Sequence, residues 1–570
     1  MAAGVTDIAP QPAGGGLPRL LWRRQLEHYP GTARRMTCLA IAVLATIVLY
    51  YELYVPGAVS PAIMAHFGMS FSTYVYITAV GNLIGAFASL VAGLADRWGR
   101  ANLVVYGLAV TALLVLFGLP NAPNGAVFAV LFVVVAFVEG IILVATPALV
   151  RDFSPQLGRA SAMGFWTLGP VVGSLVLAEV SSHTVNSRPA WQSQFVICGI
   201  VGLVMFVVAL FGLKELSPRL RDQLMVSMRD RALVEARARG IDAEEGLKHP
   251  WRQMLHVDII GSAFAIAVFL IIYYTAVGFF TIYFTTIFGF SLADANGLGN
   301  WFWSFDALAL ILVGIASDAL RVRKPFMVVG GIGAIVMTIV FASRTSYPHT
   351  GYYTFVWIIS LLAVFMGIAY APWMASFTET VERRNPALTA TGLAVWGWIV
   401  RIVVALSVAV LPFVVNSMSP LVEHGTQVAE LSAKYAPQLQ TLAAVDPATQ
   451  AALSANPADP VAGVRAVGEI ATAEKITPAE ATARLRAVAT VPPADLAYLK
   501  ENGQTVVDAA AATPGQWRTW WWVCIGGELV FLPLILVMAG RWSPRRAKED
   551  VDRHEAEVQR ELAALREGGV

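Results

Sequence analysis

The sequence predicts an all-α membrane protein in which twelve transmembrane helices form two six-helix halves. The first observation is composition: the 570-residue chain is 57% hydrophobic and only 14% charged, whereas soluble domains are about 25% charged. The second is a series of apolar segments long enough to cross a bilayer. The third is an acidic motif that recurs at matching places in the two halves. This composition argues against a soluble enzyme, a disordered chain and a disulfide-rich secreted protein.

Twelve apolar segments, numbered here as spans 1 to 12, approach the ~20 residues that a transmembrane helix needs. They cover residues 37–60, 72–95, 102–119, 125–149, 161–181, 192–213, 258–286, 295–317, 325–342, 352–375, 390–415 and 517–539. The three cysteines, Cys38, Cys198 and Cys524, all lie in these segments. We therefore expect buried thiols and no disulfide.

The distribution of basic residues predicts the orientation. Of the 40 lysines and arginines, 30 lie in the first 36 residues, in the loops after even-numbered spans and in the tail after residue 540. The short loops on the other side contain only Arg188 and Arg344. By the positive-inside rule, this is a multi-pass protein of the plasma or inner membrane with both termini in the cytoplasm. The net charge of +2 gives no reason to expect a nucleic-acid partner.

These spans divide the chain into five regions. They are a cytoplasmic tail, 1–35; a six-helix half, 36–213; a basic cytoplasmic connector, 214–256; a second half, 257–539, which contains the insertion 416–516; and a cytoplasmic tail, 540–570. The insertion is rich in Ala, Thr and Pro, with helical stretches at 426–445 and 477–489 that prolines interrupt. We expect it to form a small helical appendage outside the cytoplasm.

The acidic motif lies at the ends of spans 2 and 8. Its residues are Gly93, Asp96, Arg97, Gly99 and Arg100 in the first copy, and Gly314, Asp318 and Arg321 in the second. The two aspartates are 222 residues apart, and an internal repeat of this kind is typical of transporters. The first copy resembles the loop motif of the major facilitator superfamily, with Ala92 where that family has Gly. The resemblance implies that family's fold of two six-helix halves.

We interpret the motif as part of a cytoplasmic gate. A small residue lets two helices approach closely. An aspartate at a helix end, beside arginines, can form charge-assisted hydrogen bonds to a neighbouring helix. Such bonds would hold the cytoplasmic side shut in one conformation and break in the other. The alternative is a basic loop that only fixes the topology.

Further short motifs resemble the sugar-porter branch and the aromatic-acid and metabolite:proton symporter branch of that superfamily. Asp152 and Arg159 match an acidic-x-x-Pro-x-x-x-Arg loop after span 4. Glu382 begins a related segment of the second half, in which Thr389 stands where those branches have arginine. The resemblance implies that these residues belong to the gate, and that Arg401 matches an arginine of span 11.

Span 5 contains a Gly-Pro-x-x-Gly element formed by Gly169, Pro170 and Gly173. It resembles an element that is often associated with antiporters. Because proline frees a backbone carbonyl and bends a helix, we expect a bend here. Gly and Pro are common in membrane helices, so the element does not decide the direction of transport.

Five ionisable residues lie well inside the spans: Glu52, Glu139, Asp306, Arg401 and Glu528. Inserting a charged side chain near the bilayer centre costs at least ~2.5–3.5 kcal/mol of free energy, so each of these residues is expected to have a structural or functional role. Glu52 and Glu139 have no cation inside the membrane spans of their own half. Since burial favours the neutral form of a carboxyl, both are candidates for carrying a coupled proton, and Glu139 lies nearer mid-span. Asp306 is either the next candidate or the ion-pair partner of Arg401. Glu528 is the least expected to be functional, because span 12 is peripheral in the superfamily.

We expect the solute site to combine Arg401 with aromatic side chains. The candidates are Tyr50, Tyr51, Tyr274, Trp303, Tyr370 and Trp398. A guanidinium can bind a carboxylate through two parallel hydrogen bonds, and the aromatic rings can pack against an apolar body. This combination favours a small organic anion.

The predicted function is secondary active transport by alternating access, first of all proton symport of an organic acid or related metabolite. A multidrug/proton antiporter is the second hypothesis. The third is a non-transporting receptor or scaffold that uses 416–516 to hold an envelope partner. The expected partners are the solute, protons and the lipid bilayer. The sequence has no phosphate-binding loop, nucleophile elbow or metal-ligand cluster, so we expect no catalytic residue, cofactor or metal.

Overall fold

The structure is a computed structural model of the chain. It describes residues 22, 24–88, 98–154, 166–217, 220, 254–384, 389–456 and 458–546, together with residues 548, 549, 553, 556 and 560.

The described residues are almost entirely helical. The helices are α1 (Thr32–Ala58), α2 (Ser60–Phe67), α3 (Phe71–Ala88), α4 (Arg100–Leu113), α5 (Gly125–Phe153), α6 (Gly169–Thr184), α7 (Gln192–Gly212), α8 (Val257–Phe269), α9 (Ile271–Phe288), α10 (Leu292–Leu320), α11 (Lys324–Arg344), α12 (Tyr352–Arg384), α13 (Thr389–Val414), α14 (Met418–Lys434), α15 (Ala436–Ala443), α16 (Pro447–Ala455), α17 (Pro460–Glu474), α18 (Pro478–Val488) and α19 (Pro493–Leu534). Two short strands, β1 (Gln25–Leu26) and β2 (Glu215–Leu216), pair in parallel.

Eleven spans among the described residues are long and apolar enough to cross a membrane. Three of them extend beyond a single helix: the span that starts with α4 continues to Asn121, α8 with α9 covers Val257–Phe288, and the span that ends the series continues from α19 to Val537. Predicted span 5 is described only from residue 166, and its helix α6 has 16 residues. The all-α membrane fold is therefore confirmed, whereas the count of twelve spans stays a prediction.

Local sequence explains several helix ends. The side chain of Asn124 accepts a hydrogen bond of 3.0 Å from the backbone N–H of Val127 at the start of α5. Ser291 caps α10 in the same way, at 3.0 Å from the N–H of Asp294. Such caps satisfy backbone donors that lack a partner within the helix. Gly289 ends α9 in the left-handed conformation, with φ at 65°, which glycine adopts without steric cost.

The first half packs around α1. Buried apolar side chains of α1, α4, α5 and α7 form one core, which includes Leu49, Leu108, Leu149 and Met205. Large apolar side chains such as Phe117 are exposed on the outside of the helices. An exposed apolar surface of this kind is expected where helices face lipid.

Contacts divide the chain into two units, of which the second consists of Met64–Tyr74 and Pro412–Thr519. This unit contains α14 to α18 and has a small core of its own, formed by Val445, Ala466, Ile470 and Ala481. Its prolines start helices: Pro447, Pro460 and Pro478 stand in the first turns of α16, α17 and α18. Proline suits this position because the first N–H groups of a helix have no partner within it.

Candidate solute site and gates

The described residues of the candidate solute site and of the gates belong to the first unit. We call the end of the membrane helices at which α1 begins the basic face, because most Lys and Arg of the sequence lie in its loops. The other end is called the opposite face. Helices α1 to α7 form the first half of the helix bundle, and α8 to α13 with the membrane part of α19 form the second half.

Four tyrosines of the two halves lie inside the membrane spans. Tyr50 and Tyr54 belong to α1, Tyr274 to α9 and Tyr370 to α12, and each keeps part of its surface accessible. The rings of Tyr50 and Tyr54 are 5.4 Å apart. Tyr274 lies near Tyr50, and Tyr370 lies near both. Side chains of the two halves therefore meet in one tyrosine-rich region, which we call the tyrosine cluster.

Arg401 of α13 lies beside this cluster and joins the two halves. Its Nη1 donates a hydrogen bond of 2.9 Å to the backbone carbonyl oxygen of Gly85 in α3. The guanidinium also interacts electrostatically with the hydroxyl groups of Tyr50, Tyr54 and Tyr274. A backbone carbonyl carries no formal charge, so a carboxylate would be the stronger acceptor for this guanidinium.

Glu139 of α5 is 1% exposed. Neither carboxyl oxygen has a hydrogen-bond partner within the described part of the chain. The carboxyl interacts electrostatically with Tyr50 and Tyr54. The adjacent Gly140 packs so closely on the Gly85 carbonyl oxygen that a Cβ there would collide with it. The carbonyl that accepts from Arg401 therefore lies against the turn of α5 that carries Glu139.

Glu52 of α1 has a different environment. Its Oε2 accepts a hydrogen bond of 2.8 Å from Thr111 of α4, and its Oε1 lies where a Cβ of residue 202 in α7 would be. Gly202 is therefore the residue that leaves room for this carboxyl. The structure places Glu52 in the packing between α1, α4 and α7.

Asp306 of α10 is 5% exposed and interacts electrostatically with Tyr273 and Tyr370. Among the described residues it has neither a hydrogen bond nor an ion pair. In particular, Arg401 binds Gly85 and not Asp306. The structural ion pair that the sequence left open is thus not formed in this conformation.

The remaining aromatic candidates differ in their burial and in their neighbours. Trp303 is 5% exposed and packs edge-on against Tyr273, with ring centroids 5.0 Å apart. Tyr51 is 1% exposed, and its hydroxyl has no hydrogen-bond partner within the described residues. Trp398 is 44% exposed. Trp303 therefore lies beside the tyrosine cluster, whereas Tyr51 is part of the helix packing.

The Gly-Pro-x-x-Gly element positions Tyr50. A Cβ at Gly173 would lie 2.7 Å from Cβ of Tyr50, and one at Gly169 would lie 2.7 Å from Thr46 Cγ2. These glycines therefore let α6 pack closely on α1. Pro170 stands in the first turn of α6, where the described helix begins. Most of span 5 before this turn, residues 161–165, lies outside the described part, so the expected bend stays a prediction.

The basic face of the first half carries a clamp of charged groups. Arg100 Nη1 donates to both carboxylate oxygens of Asp152, at 2.8 and 3.0 Å. The backbone N–H of Arg100 donates to Glu215 at 2.7 Å. Glu215 belongs to β2 and lies against Gly99, whose φ of 88° excludes most other residues. Four predicted gate residues lie outside the described residues; they are Gly93, Asp96, Arg97 and Arg159.

The corresponding place in the second half has a similar clamp around Arg323. It binds Asp318 at 2.7 Å and Glu379 at 3.0 Å. Arg321 ends α10 in a left-handed conformation with φ at 55°. An added Cβ at Gly314 would have nothing within 4 Å, so the close helix packing expected at this glycine is not formed. Glu382 is partly buried near the end of α12.

Sequence reasoning missed Glu215 and Glu379 as clamp residues. Glu379 precedes Glu382 by one helical turn, so the charge pattern of α12 was a usable signal. Glu215 lies 115 residues from Arg100, and no local pattern connects the two.

The two halves also meet at the opposite face. Asn296 of α10 donates to the carbonyl oxygen of Ala58 at 3.0 Å, and Asn300 donates to Ser182 Oγ of α6 at 3.0 Å. A Cβ at Gly57 would lie 2.7 Å from the carbonyl oxygen of Val277. These polar bonds and close approaches connect the first half to the second at this face.

Membrane-spanning helices in two packed groups, with polar residues between them and charged clamps at the helix ends, are typical of membrane transporters. The family model of the Major Facilitator Superfamily matches residues 42–417. The chain belongs to this superfamily, whose members are transporters and not enzymes. Membership establishes a multi-pass membrane protein and confirms the resemblance drawn from the loop motif.

Three known proteins illustrate the relationship. An uncharacterized MFS-type transporter of Mycobacterium tuberculosis is 29% identical over 150 residues, and the match covers 26% of either chain. The match thus spans about a quarter of that relative. A bacterial homolog of the human lysosomal transporter Spinster, in an inward-facing and occupied conformation, has a TM-score of 0.56 and 16% identity over 90% of this chain and 100% of its own. A D-xylose-proton symporter has a TM-score of 0.52 and 14% identity, over 66% of this chain and 90% of its own.

Proposed function

We propose that this transporter carries a small organic acid by proton symport across the plasma or inner membrane, with both termini in the cytoplasm. The observation that carries the proposal is the meeting of Arg401 and the turn of Glu139 at one backbone carbonyl. Gly85 accepts from Arg401 and packs against the turn of Glu139. Arg401, which would bind the solute, is thus linked to the turn of Glu139, which would carry the proton, through the contact that Gly85 makes between the halves.

The solute's carboxylate would replace the Gly85 carbonyl as the acceptor for Arg401. Charge-assisted hydrogen bonds to a carboxylate are about twice as strong as neutral ones. Solute binding would therefore compensate for breaking the bond between the halves at this level of the membrane. Tyr50 and Tyr274 would pack against the apolar body of the solute.

Glu139 would carry the proton. A buried carboxylate without a partner is costly, so its protonated form is favoured until water reaches it. Opening of the basic face would admit water and allow the proton to leave. The D-xylose-proton symporter of the same fold illustrates that the fold is compatible with proton coupling.

The experiment is uptake of labelled organic acids into proteoliposomes with an imposed pH gradient. Wild type should concentrate at least one acid, and Arg401→Gln should raise the half-saturating concentration at least tenfold. Arg188→Gln is the matched control, since Arg188 is exposed at the opposite face. An unchanged Arg401→Gln variant contradicts the solute site. Expulsion of cationic drugs in exchange for protons, without acid uptake, supports the antiporter hypothesis instead.

A further inference from the structure

Asp306 is a buried charged residue that the proposed transport cycle leaves without a role. It lies in the middle of α10, is 5% exposed, and has no hydrogen bond or ion pair to the described residues. A carboxylate in such a place must bind a proton or an opposite charge, because burying it alone is very costly. Arg401, which could have neutralised it, binds Gly85.

The groups around Asp306 are aromatic and also lack partners. Tyr273 interacts electrostatically with Asp306, and its buried hydroxyl has no hydrogen-bond partner among the described residues. Trp303 packs edge-on against Tyr273 at 5.0 Å. Aromatic rings beside a carboxylate provide two attractions for an organic cation, an ion pair and a cation–π contact.

The tyrosine cluster connects Asp306 to Arg401. Tyr370 lies near Asp306 and also near Tyr50 and Tyr274, and Gly367, one turn earlier in α12, packs on the backbone of Asp306. Tyr50 and Tyr274 in turn interact with Arg401. Each of the two opposite charges therefore lies near members of the tyrosine cluster, and Arg401 binds Gly85 instead of Asp306.

We propose that Asp306 is the second anchor of the solute site, and that the solute is amphoteric, with a carboxylate for Arg401 and an ammonium group for Asp306. This inference rests on the proposed function for the role of Arg401. Tyr273, Tyr370 and Trp303 surround the ammonium end. The solute itself neutralises both charges, so an acid without an ammonium group leaves Asp306 unpaired and binds more weakly.

The test is a thermal-shift titration of the purified full-length protein with two matched sets of probes. One set is phenylalanine, phenylpropanoate and phenylethylamine; the other is aminohexanoate, hexanoate and hexylamine. A ligand that binds the folded state raises the melting temperature by mass action. In wild type, the amphoteric member of at least one set should bind at least about tenfold more tightly than the acid and the amine of the same set. A tenfold difference in affinity corresponds to about 1.4 kcal/mol of binding free energy.

Asp306→Asn keeps the shape of the side chain and removes its charge. In this variant the amphoteric probe should bind within about twofold of the acid, while the acid binds as in wild type. Three outcomes would overturn the proposal. The amphoteric probe and the acid could bind wild type with equal affinity, neither set could bind, or the preference for the amphoteric probe could persist in Asp306→Asn. If the variant does not fold, the comparison of probes in wild type decides alone.

The acid probes distinguish this failure from failure of the proposed function. The acid probes could bind wild type as tightly as the amphoteric probes and bind Arg401→Gln more weakly. That result would support the organic-acid site and exclude the proposed role of Asp306. If the acid probes bind wild type and Arg401→Gln alike, the proposed function itself fails.

Discussion

Asn296 of α10 donates a hydrogen bond of 3.0 Å to the carbonyl oxygen of Ala58, the last residue of α1. The amide is buried, and one helical turn later Asn300 binds Ser182 of α6. Both asparagines lie on the same face of α10, since residues four positions apart are neighbours on a helix. This side of α10 connects the two halves at their opposite face. The structure therefore describes a conformation in which the opposite face of the bundle is closed.

The closed opposite face predicts a disulfide between α6 and α10. A Cβ at Gly299 would lie 3.0 Å from Cβ of Ala178, close to the 3.5–4.5 Å found in disulfides. In a cysteine-free background, Ala178→Cys with Gly299→Cys should cross-link on oxidation. Because alternating access requires this face to open, transport should stop and should return with a reductant.

The control for this cross-link is Ala178→Cys with Ser304→Cys. Ser304 is exposed and lies about 140° further around the same helix, at 100° per residue. This pair should neither cross-link nor lose transport. Oxidised Ala178→Cys/Gly299→Cys protein that transports at the wild-type rate would contradict the closed-face assignment.

Glu139→Gln and Glu52→Gln should separate the two carboxyl candidates. Glutamine mimics the protonated acid and cannot release a proton, so Glu139→Gln should allow exchange of solute and abolish its accumulation under a pH gradient. Glu52→Gln can still accept from Thr111, and we expect accumulation within about twofold of wild type. The measurement is the inside-to-outside ratio of labelled solute. Accumulation by both variants would exclude both residues, leaving Asp306 as the next proton-carrying candidate and removing its proposed role as a charged anchor.

Most of the membrane fold could be predicted from the sequence, because a span is defined by local hydropathy. The predicted span 258–286 corresponds to Val257–Phe288 in the structure. The insertion was harder, since it was expected to end at 516, where the apolar run begins. In the structure α19 runs from Pro493 to Leu534 and continues through Pro514, and its Ala-rich stretch favours helix.

The candidate site was less predictable, because its central acceptor is a backbone atom. The carbonyl of Gly85 has no side-chain signal that would connect it to Arg401, 316 residues away. The Arg100–Asp152 contact was easier, since both residues belong to motifs that were assigned to the gate. The position of Glu52 between α1, α4 and α7 depended on the direction of its side chain, which the span alone does not define.

Gly202→Ala should destabilise the first half. The new Cβ would occupy the position of Glu52 Oε1, and overpacking of a core typically costs about 1–3 kcal/mol. The melting temperature of the purified protein should therefore fall. Gly526→Ala is the matched control, since a Cβ there has nothing within 4 Å and alanine favours helix by ~0.5–1 kcal/mol. Equal melting temperatures for the two variants would show that Glu52 does not need this space.

Single cysteines should report the orientation of the chain. Ser343 near the end of α11 and Ala455 in the insertion are both exposed, and the charge distribution predicts that both lie outside the cytoplasm. In a cysteine-free background, Ser343→Cys and Ala455→Cys should react with a membrane-impermeant thiol reagent in intact cells. Ala232→Cys, in the basic connector, should react only after permeabilisation. Reaction of Ala232→Cys alone in intact cells would reverse the proposed orientation.

Removal of the motif aspartates should affect the two halves unequally. Arg323 binds Glu379 as well as Asp318, and the side chain of Asp318 is 70% exposed. Exposed ion pairs contribute about 0–1 kcal/mol, so Asp318→Asn leaves Arg323 held by Glu379 and should retain at least half of the wild-type transport rate. Asp96→Asn removes the carboxylate of the first motif copy and should abolish net transport while the protein still reaches the membrane. Transport rates should be normalised to the amount of folded protein in the same vesicles. If Asp96→Asn transports at the wild-type rate, the first motif copy is not a gate; if Asp318→Asn is the more damaging change, Glu379 does not hold Arg323 by itself.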